Sequence, residues 1–286
     1  MTTKSKINTI KLQDTKIAYI KYGQGPVLIV LGGIMARIDS WMYVIDFLSQ
    51  KFTVYFIELP GYGNSSPFNS EYSSERMGMI IKDFTQELKI EKFSIIGFSF
   101  GSFVSLFALK NIISKIDKVF LIAPCISYKV LNFNRPQLIF SRAAVNFFDN
   151  NNLQKLLMVL IKNKRFTEFF ILIISRFSNK DIYSYKDMLA SSLISMRTET
   201  INVLVKQIKE VLYLSPIDDL KDYNKKIYLG MSKQDQFLNY EITHKLLSEK
   251  FSNLEVFEFN LSNHQPLEPL SQEFLQKNFS HILENM

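Results

Sequence analysis

The chain has 286 residues, 47% hydrophobic and 21% charged, which is ample for a packed core and too apolar for a disordered chain. Its 34 Lys and Arg against 27 Asp and Glu leave a net charge of +7, a mild excess at this length. The one cysteine, Cys125, excludes an intrachain disulfide, and the three histidines (His244, His264, His281) do not match a metal-ligand spacing, so no structural metal is expected. The first twenty residues hold no apolar run of the kind a secretory leader carries. The longest purely apolar stretch, residues 169–174, falls far short of the roughly 18 residues a membrane span needs. These features predict a globular, cytoplasmic protein.

Along the chain, short apolar runs end in glycine, proline or polar turns. They are 27–31 (VLIVL) before Gly32-Gly33, 52–57 (FTVYFI) before Pro60-Gly61 and 93–96 (FSII) before Gly97. Further on come 119–123 (VFLIA) before Pro124, 227–229 before Gly230 and 254–259 before a polar turn. Continuous runs of this kind suit strands buried on both faces. Helical patterns at 72–88, 102–111 and 240–250 alternate with them, which predicts an α/β fold with a mostly parallel central sheet flanked by helices. Between 126 and 215 the alternation stops, and helical patterns follow one another at 152–163, 166–176, 182–195 and 198–214. This predicts a helical cap, 126–215, inserted between two core segments, 1–125 and 216–286. The block holds thirteen Lys and Arg against six Asp and Glu, so the whole +7 sits in it and the remainder is neutral.

The strongest chemical signal is Gly97-Phe98-Ser99-Phe100-Gly101, directly after the run 93–96 and before a helical pattern. It matches the G-x-S-x-G nucleophile elbow, a sharp strand-to-helix turn that lifts its serine above the sheet edge. A nucleophilic serine needs a base, and the base needs an orienting carboxylate, in this architecture in the chain order Ser, Asp or Glu, His. Asp235 lies just beyond the run 227–229, and His264 just beyond 254–259. Both therefore stand at carboxyl ends of strands, where such sheets place their sites. His244 within the pattern 240–250, His281 near the chain end, and Asp218 and Asp219 ahead of a strand suit surface or loop positions instead. Cys125 reads as a small buried apolar group. The oxyanion of an acyl transfer would take one backbone N–H from Phe100 and a second from the loop after 27–31.

Taken together, these residues resemble the capped, cofactor-free serine branch of the α/β-hydrolase superfamily, from about residue 11 to 283 apart from the helical block. Residues 32–41 (GGIMARIDSW) resemble the family's oxyanion segment, which normally begins His-Gly and ends in Trp; the alignment makes Ile34 the second N–H donor. Residues 58–65 (ELPGYGNS) resemble the family's D-x-P-G-x-G-x-S stretch, and His264-Gln265-Pro266 with Glu268 its closing segment. Gly32 for His, Glu58 for Asp and Asn263 for Gly depart from the pattern. The resemblance implies a hydrolase acting on a small-molecule ester or thioester of an apolar acyl group through an acyl-enzyme, without a cofactor. A carbon–carbon bond hydrolase or cofactor-free lyase could use the same residues, and a ligand receptor could retain the fold. Ser99 argues against epoxide hydrolases and haloalkane dehalogenases, which carry Asp at the elbow.

In the cap, Phe147, Phe148, Met158, Phe169 and Phe170 either pack it onto the core or line an acyl pocket above Ser99. The cluster Lys162, Lys164, Arg165 is either a solvated face or the mark of an anionic partner: an acyl-CoA phosphate, an acidic acyl-carrier protein or a membrane surface. No nucleic-acid motif accompanies the charge, so nucleic acid is not expected.

Overall fold

A computed structural model of the chain describes residues 6–178, 186–220, 223–261, 264 and 270–285. Eight strands form one sheet in the order β1-β2-β4-β3-β5-β6-β7-β8. β1 (Asn8–Leu12) and β2 (Thr15–Tyr22) form an antiparallel hairpin, and β2 pairs antiparallel with β4 (Thr53–Ile57). From β4 onward, through β3 (Val27–Leu31), β5 (Phe93–Phe98), β6 (Ile116–Ile122), β7 (Ile227–Met231) and β8 (Leu254–Glu258), neighbours run parallel. Because successive strand side chains point to opposite faces, each apolar run divides between two cores. Ile29 and Leu31 of β3 join Tyr55, Ile95 and Leu121 on one face, where α2 (Ser74–Glu87), α3 (Phe100–Ile112) and α9 (Tyr240–Lys250) pack. Leu28 and Val30 join Phe56, Ile96 and Phe120 on the other, where α1 (Ile38–Ser49) and α10 (Gln272–Asn285) pack.

The α/β fold with a mostly parallel sheet is therefore the one the sequence predicts, with small shifts of boundary. β5 extends to Phe98, β6 begins at Ile116, and α3 starts at Phe100 and not at 102. The hairpin β1–β2 and the helices α1 and α10 are additions to the sequence reading. The hairpin turn is Gln13-Asp14, with Gln13 at φ +51, so it lacks the Asn-Gly or Asp-Gly signature that announces such turns.

Between β6 and β7 lie α4 (Arg135–Phe148), α5 (Asn151–Ile161), α6 (Lys164–Ser178), α7 (Lys186–Ile194) and α8 (Thr198–Tyr213). The start of the pattern 182–195 falls outside the described residues. α4 is extra to the four helical patterns read there; it opens on a capping box between Asn134 and Gln137 with Pro136 in its first turn. These helices share a core of their own, including Val145, Met158, Ile161, Ile201 and Val205.

Much of the basic excess of this block is used inside it. Lys162 Nζ donates to Ile194 O at 2.6 Å and Met196 O at 2.7 Å, meeting carbonyls at the end of α7. Arg142 donates twice to Leu212 O near the end of α8, its guanidinium over the Tyr128 and Tyr213 rings. Cations suit these positions because a helix C-terminus carries the negative end of its dipole. Lys206 and Lys209 clasp Asp149, and Lys206 also reaches Glu71 outside the block.

One half-buried acid joins α8 to α2. Glu210 accepts the Ser74 N–H at 2.9 Å and also the Ser74 hydroxyl. Burial pushes its carboxyl up to about 7 from 4.5, with the nearby Glu71 and Glu75 acting in the same direction and the Ser74 bonds opposing. A raised acid pKa means that the unfolded chain releases this proton near 4.5 and the folded protein only near 7. Stability therefore falls as pH rises through that window and levels off above it. In thermal melts between about pH 5 and about pH 8, the wild type should lose more Tm than Glu210→Gln; equal losses would remove Glu210 as the cause.

Candidate active site

At the end of β5 the chain reverses direction within one residue and enters α3. Ser99 takes φ +50 and ψ −113, a left-handed conformation that non-glycine residues adopt only when held. It is held from both sides: its N–H donates to Ile122 O at 2.8 Å, and its carbonyl accepts from Ser102 N–H at 3.0 Å and Cys125 N–H at 3.2 Å. The flanking glycines answer to contact, not to flexibility alone. A Cβ on Gly97 would stand 2.5 Å from Ser102 N, and one on Gly101 2.1 Å from Leu31 O.

Asp235 and His264 arrive from the loops after β7 and β8, two and three strands along the sheet from β5. His264 Nε2 lies 2.9 Å from Ser99 Oγ, and His264 Nδ1 lies 2.7 Å from Asp235 Oδ2. The carboxylate can only accept, so Nδ1–H donates to Asp235 and Nε2 is left to accept the serine proton. The second oxygen of Asp235, Oδ1, accepts the N–H groups of Phe237 at 2.8 Å and Leu238 at 2.9 Å. The Asp235 side chain is 2% exposed and that of His264 14%, so the pair is shielded while the imidazole still reaches the cavity. Ser232 Oγ donates to Leu261 O at 2.6 Å, tying the loop after β7 to the one after β8. The structure thus brings together all three side chains that the sequence proposes. Asn263, Gln265, Pro266 and Glu268 lie outside the described residues.

The competing residues stand elsewhere. The His244 ring stacks on Tyr240 within α9, and Asp218 pairs with Lys129. His281 belongs to α10, its side chain outside the described set, and Asp219 is exposed. Burial pushes the Cys125 thiol up to about 12, which keeps it protonated and inert.

The loop after β3 passes directly beside Ser99: a Cβ on Gly33 would lie 3.6 Å from Ser99 Cβ. Among the described residues, neither the Ile34 nor the Phe100 backbone N–H donates to a protein acceptor. For Phe100 this follows from its place at the first position of a helix. Two of the three departures from the family pattern have a visible structural setting. Where a histidine is usual, Gly32 has no room for a side chain, since its Cβ would meet Ala36 Cβ at 2.3 Å, with Phe56 and Trp41 behind. Glu58, fully buried, accepts Ile38 N–H at 2.8 Å and Asn64 N–H at 2.6 Å. It caps α1 from the end of β4, which Arg37, the residue at the cap position, does not do with its own side chain.

Ser99, Asp235 and His264 open into a cavity of about 960 Å³. One arm runs between α1 and α10 into the apolar core, lined by Val44, Phe47, Leu48, Ile96, Leu275 and Phe279. The other reaches the rim beneath α7 and α8, with Arg37, Ser40, Ser195, Arg197 and Thr200. Sequence reasoning missed the apolar arm, because it is formed by two helices distant in the chain. None of Phe147, Phe148, Met158, Phe169 and Phe170 lines the cavity, so of the two readings of these residues the acyl pocket above Ser99 is not the one present. Met158 is packed in the helical block, whereas Phe147 and Phe169 face solvent.

Gly32→Ala should lower Tm by several degrees through overpacking of about 1–3 kcal/mol. Gly32→Ala with Ala36→Gly should recover most of it, because the methyl at 36 is the first obstacle; a double variant no more stable than the single one would refute this packing.

A sequence model of the family described as alpha/beta hydrolase fold matches residues 26–268. The pimeloyl-[acyl-carrier protein] methyl ester esterase of Vibrio parahaemolyticus is 28% identical over 110 residues, 38% of this chain and 41% of that protein. The fluoroacetate dehalogenase of a Burkholderia species is 29% identical over 97 residues, 32% of each protein. The matched stretches thus span only 41% and 32% of these relatives' lengths. Among solved structures, a hydrolase from Pseudomonas aeruginosa superposes at a TM-score of 0.66 over 98% of this chain and 96% of that one, with 14% identity, a likeness of fold.

Proposed function

The chain belongs to the alpha/beta hydrolase family, and we propose that it is a serine hydrolase cleaving a carboxylic ester or thioester of an apolar acyl group. The observation that carries this reading is the unbroken hydrogen-bond chain from Ser99 Oγ through His264 to Asp235 at the mouth of an apolar cavity. In this reading Ser99 Oγ attacks the acyl carbonyl carbon as its proton passes to His264 Nε2. The bond to the leaving oxygen or sulfur then breaks, that atom takes the proton from Nε2, and the acyl group remains esterified to Ser99. Water gives a proton to the same nitrogen and attacks the acyl carbon; the acid departs and the proton returns to Ser99. Asp235 holds the Nδ1–H and offsets the charge of the transient imidazolium. The N–H groups of Ile34 and Phe100 serve the developing oxyanion, where one such donor is worth about 10²–10³ in rate.

The helices α4 to α8 act as a cap, residues 126–215, on a core made of 1–125 and 216–286. The acyl chain occupies the arm between α1 and α10, and the leaving group lies toward the rim near Arg37 and Arg197. The methyl ester esterase among the relatives supports ester cleavage, and the serine at the elbow favours it over the dehalogenation named for the other.

With p-nitrophenyl esters and acyl thioesters, Ser99→Ala and Asp235→Asn should each lower kcat by about 10⁴ with little change in KM. Wild-type inertness toward the whole panel, with turnover of a vinylogous diketone, would assign the residues to carbon–carbon cleavage. Across acyl lengths, kcat/KM should climb by up to about fourfold per methylene, the equivalent of about 0.8 kcal/mol of burial, until the arm is full. Leu48→Trp, or Val44→Phe as a milder filling, should abolish that climb and leave the shortest ester unaffected. An unchanged length profile would move the acyl chain elsewhere.

A further inference from the structure

On α4 and α5, a row of large apolar side chains is exposed, uncovered by other described residues. Phe140 is 68% exposed, Phe147 60% and Val159 70%, and Ile139, Leu156 and, on α6, Phe169 are all more than half exposed. At roughly 100° per residue, Ile139, Phe140 and Phe147 fall within about 100° of the α4 circumference, as do Leu156, Val159 and Leu160 on α5. The opposite sides of the two helices enter one core through Val145, Met158 and Ile161, against Ile201 and Val205 of α8. Two helices that bury the same side against a third present their other sides together. The result is one outward apolar face, separate from the cavity, to which none of these residues contributes.

The charges around it have one sign left over. Residues 135–170 contain six Lys and Arg and two Asp and Glu. Both acids are engaged, Asp149 with Lys206 and Lys209, and Glu168 with Lys164 at 3.8 Å. Arg135, Lys155 and Arg165 are exposed and have no acidic partner among the described residues. An exposed apolar face of this extent marks an interaction surface. A second copy docked by two-fold symmetry would meet the same cations and no unpaired acid from residues 135–170, a repulsion that this stretch does not offset. A bilayer with anionic headgroups offers what the face lacks: phosphates for the rim and acyl chains for the phenyl and aliphatic groups, the pattern of a helix lying in the interface. Among the described residues, no helix is long and apolar enough to cross a membrane, so such contact is peripheral.

We infer that the outer face of α4 and α5 docks the protein onto the surface of an anionic phospholipid bilayer. The inference is independent of the chemistry at Ser99. It concerns where the cap rests, and it would hold for an inactive Ser99→Ala protein as well. The full chain is tested by cosedimentation with phosphatidylcholine vesicles and with vesicles containing about one third phosphatidylglycerol. Binding should be at least about tenfold tighter to the anionic vesicles and should weaken in about half-molar salt. Phe140→Glu with Val159→Glu should abolish it, and Lys155→Ala with Arg165→Ala should weaken it, in each case with Tm and hydrolysis of a soluble ester unchanged. Absence of wild-type binding, equal binding to neutral vesicles, or binding that survives the double Glu substitution would overturn the inference. So would a wild-type dimer in solution that the same pair of substitutions dissociates, since the face would then belong to a second copy.

Discussion

Helix α3 can leave strand β5 where it does only because position 101 has no side chain, since a Cβ there would stand 2.1 Å from Leu31 O in β3. This contact brings the helix N-terminus down onto the sheet, and the segment from Phe100 to Leu109 is buried along its whole circumference as a result. Ser99, the one residue between strand and helix, must then turn the chain at φ +50. Strain of this kind persists only where the surroundings over-determine it. Here the turn is tied by backbone hydrogen bonds to Ile122, Ser102 and Cys125, on β6, α3 and the segment after β6. A serine so placed projects from the edge of the sheet, and the remainder of the site is arranged around a point that cannot drift.

The other loops at that edge are fixed in the same manner, by one another. Asp235 spends one oxygen on its own loop, through Phe237 and Leu238, and offers the second to His264. Asn132 N–H donates to Phe237 O and Asn239 N–H to Val130 O, so the entry to the helical block is anchored to the loop that carries the carboxylate. Glu58 couples the end of β4 to the start of α1, the helix that forms one wall of the apolar arm. The hydrogen-bonded line of Ser99, His264 and Asp235 and the wall of the cavity are therefore set by the same few connections.

Much of this is legible in the residues. VLIVL and FTVYFI read as strands because both faces of a parallel sheet are buried, and burial on two faces leaves an unbroken apolar run. Ser99, Asp235 and His264 are legible because each follows its own strand, so position along the chain stands for position in space. The structure brings these three into one hydrogen-bonded line. What stays hidden is tertiary. α1 takes its cap from Glu58, twenty residues further on, so no capping residue precedes it in sequence. The apolar arm lies between α1 and α10, which meet only in the folded protein. Phe147 and Phe169 have the spacing of a buried stripe, yet they face water. The charge of 126–215 reads as one surface property, whereas Lys162 and Arg142 meet carbonyls at helix ends and Lys206 and Lys209 neutralise Asp149.

Ser99 is the hinge of the proposed chemistry, and its reactivity can be read without knowing the natural substrate. Intact-mass spectrometry after treatment with a fluorophosphonate, followed by peptide mapping, tests it most directly. One adduct per chain, on Ser99 and absent from His264→Ala, is the predicted result. A protein that turns over esters with Ser99 unmodified, or that carries the adduct on another residue, would contradict it.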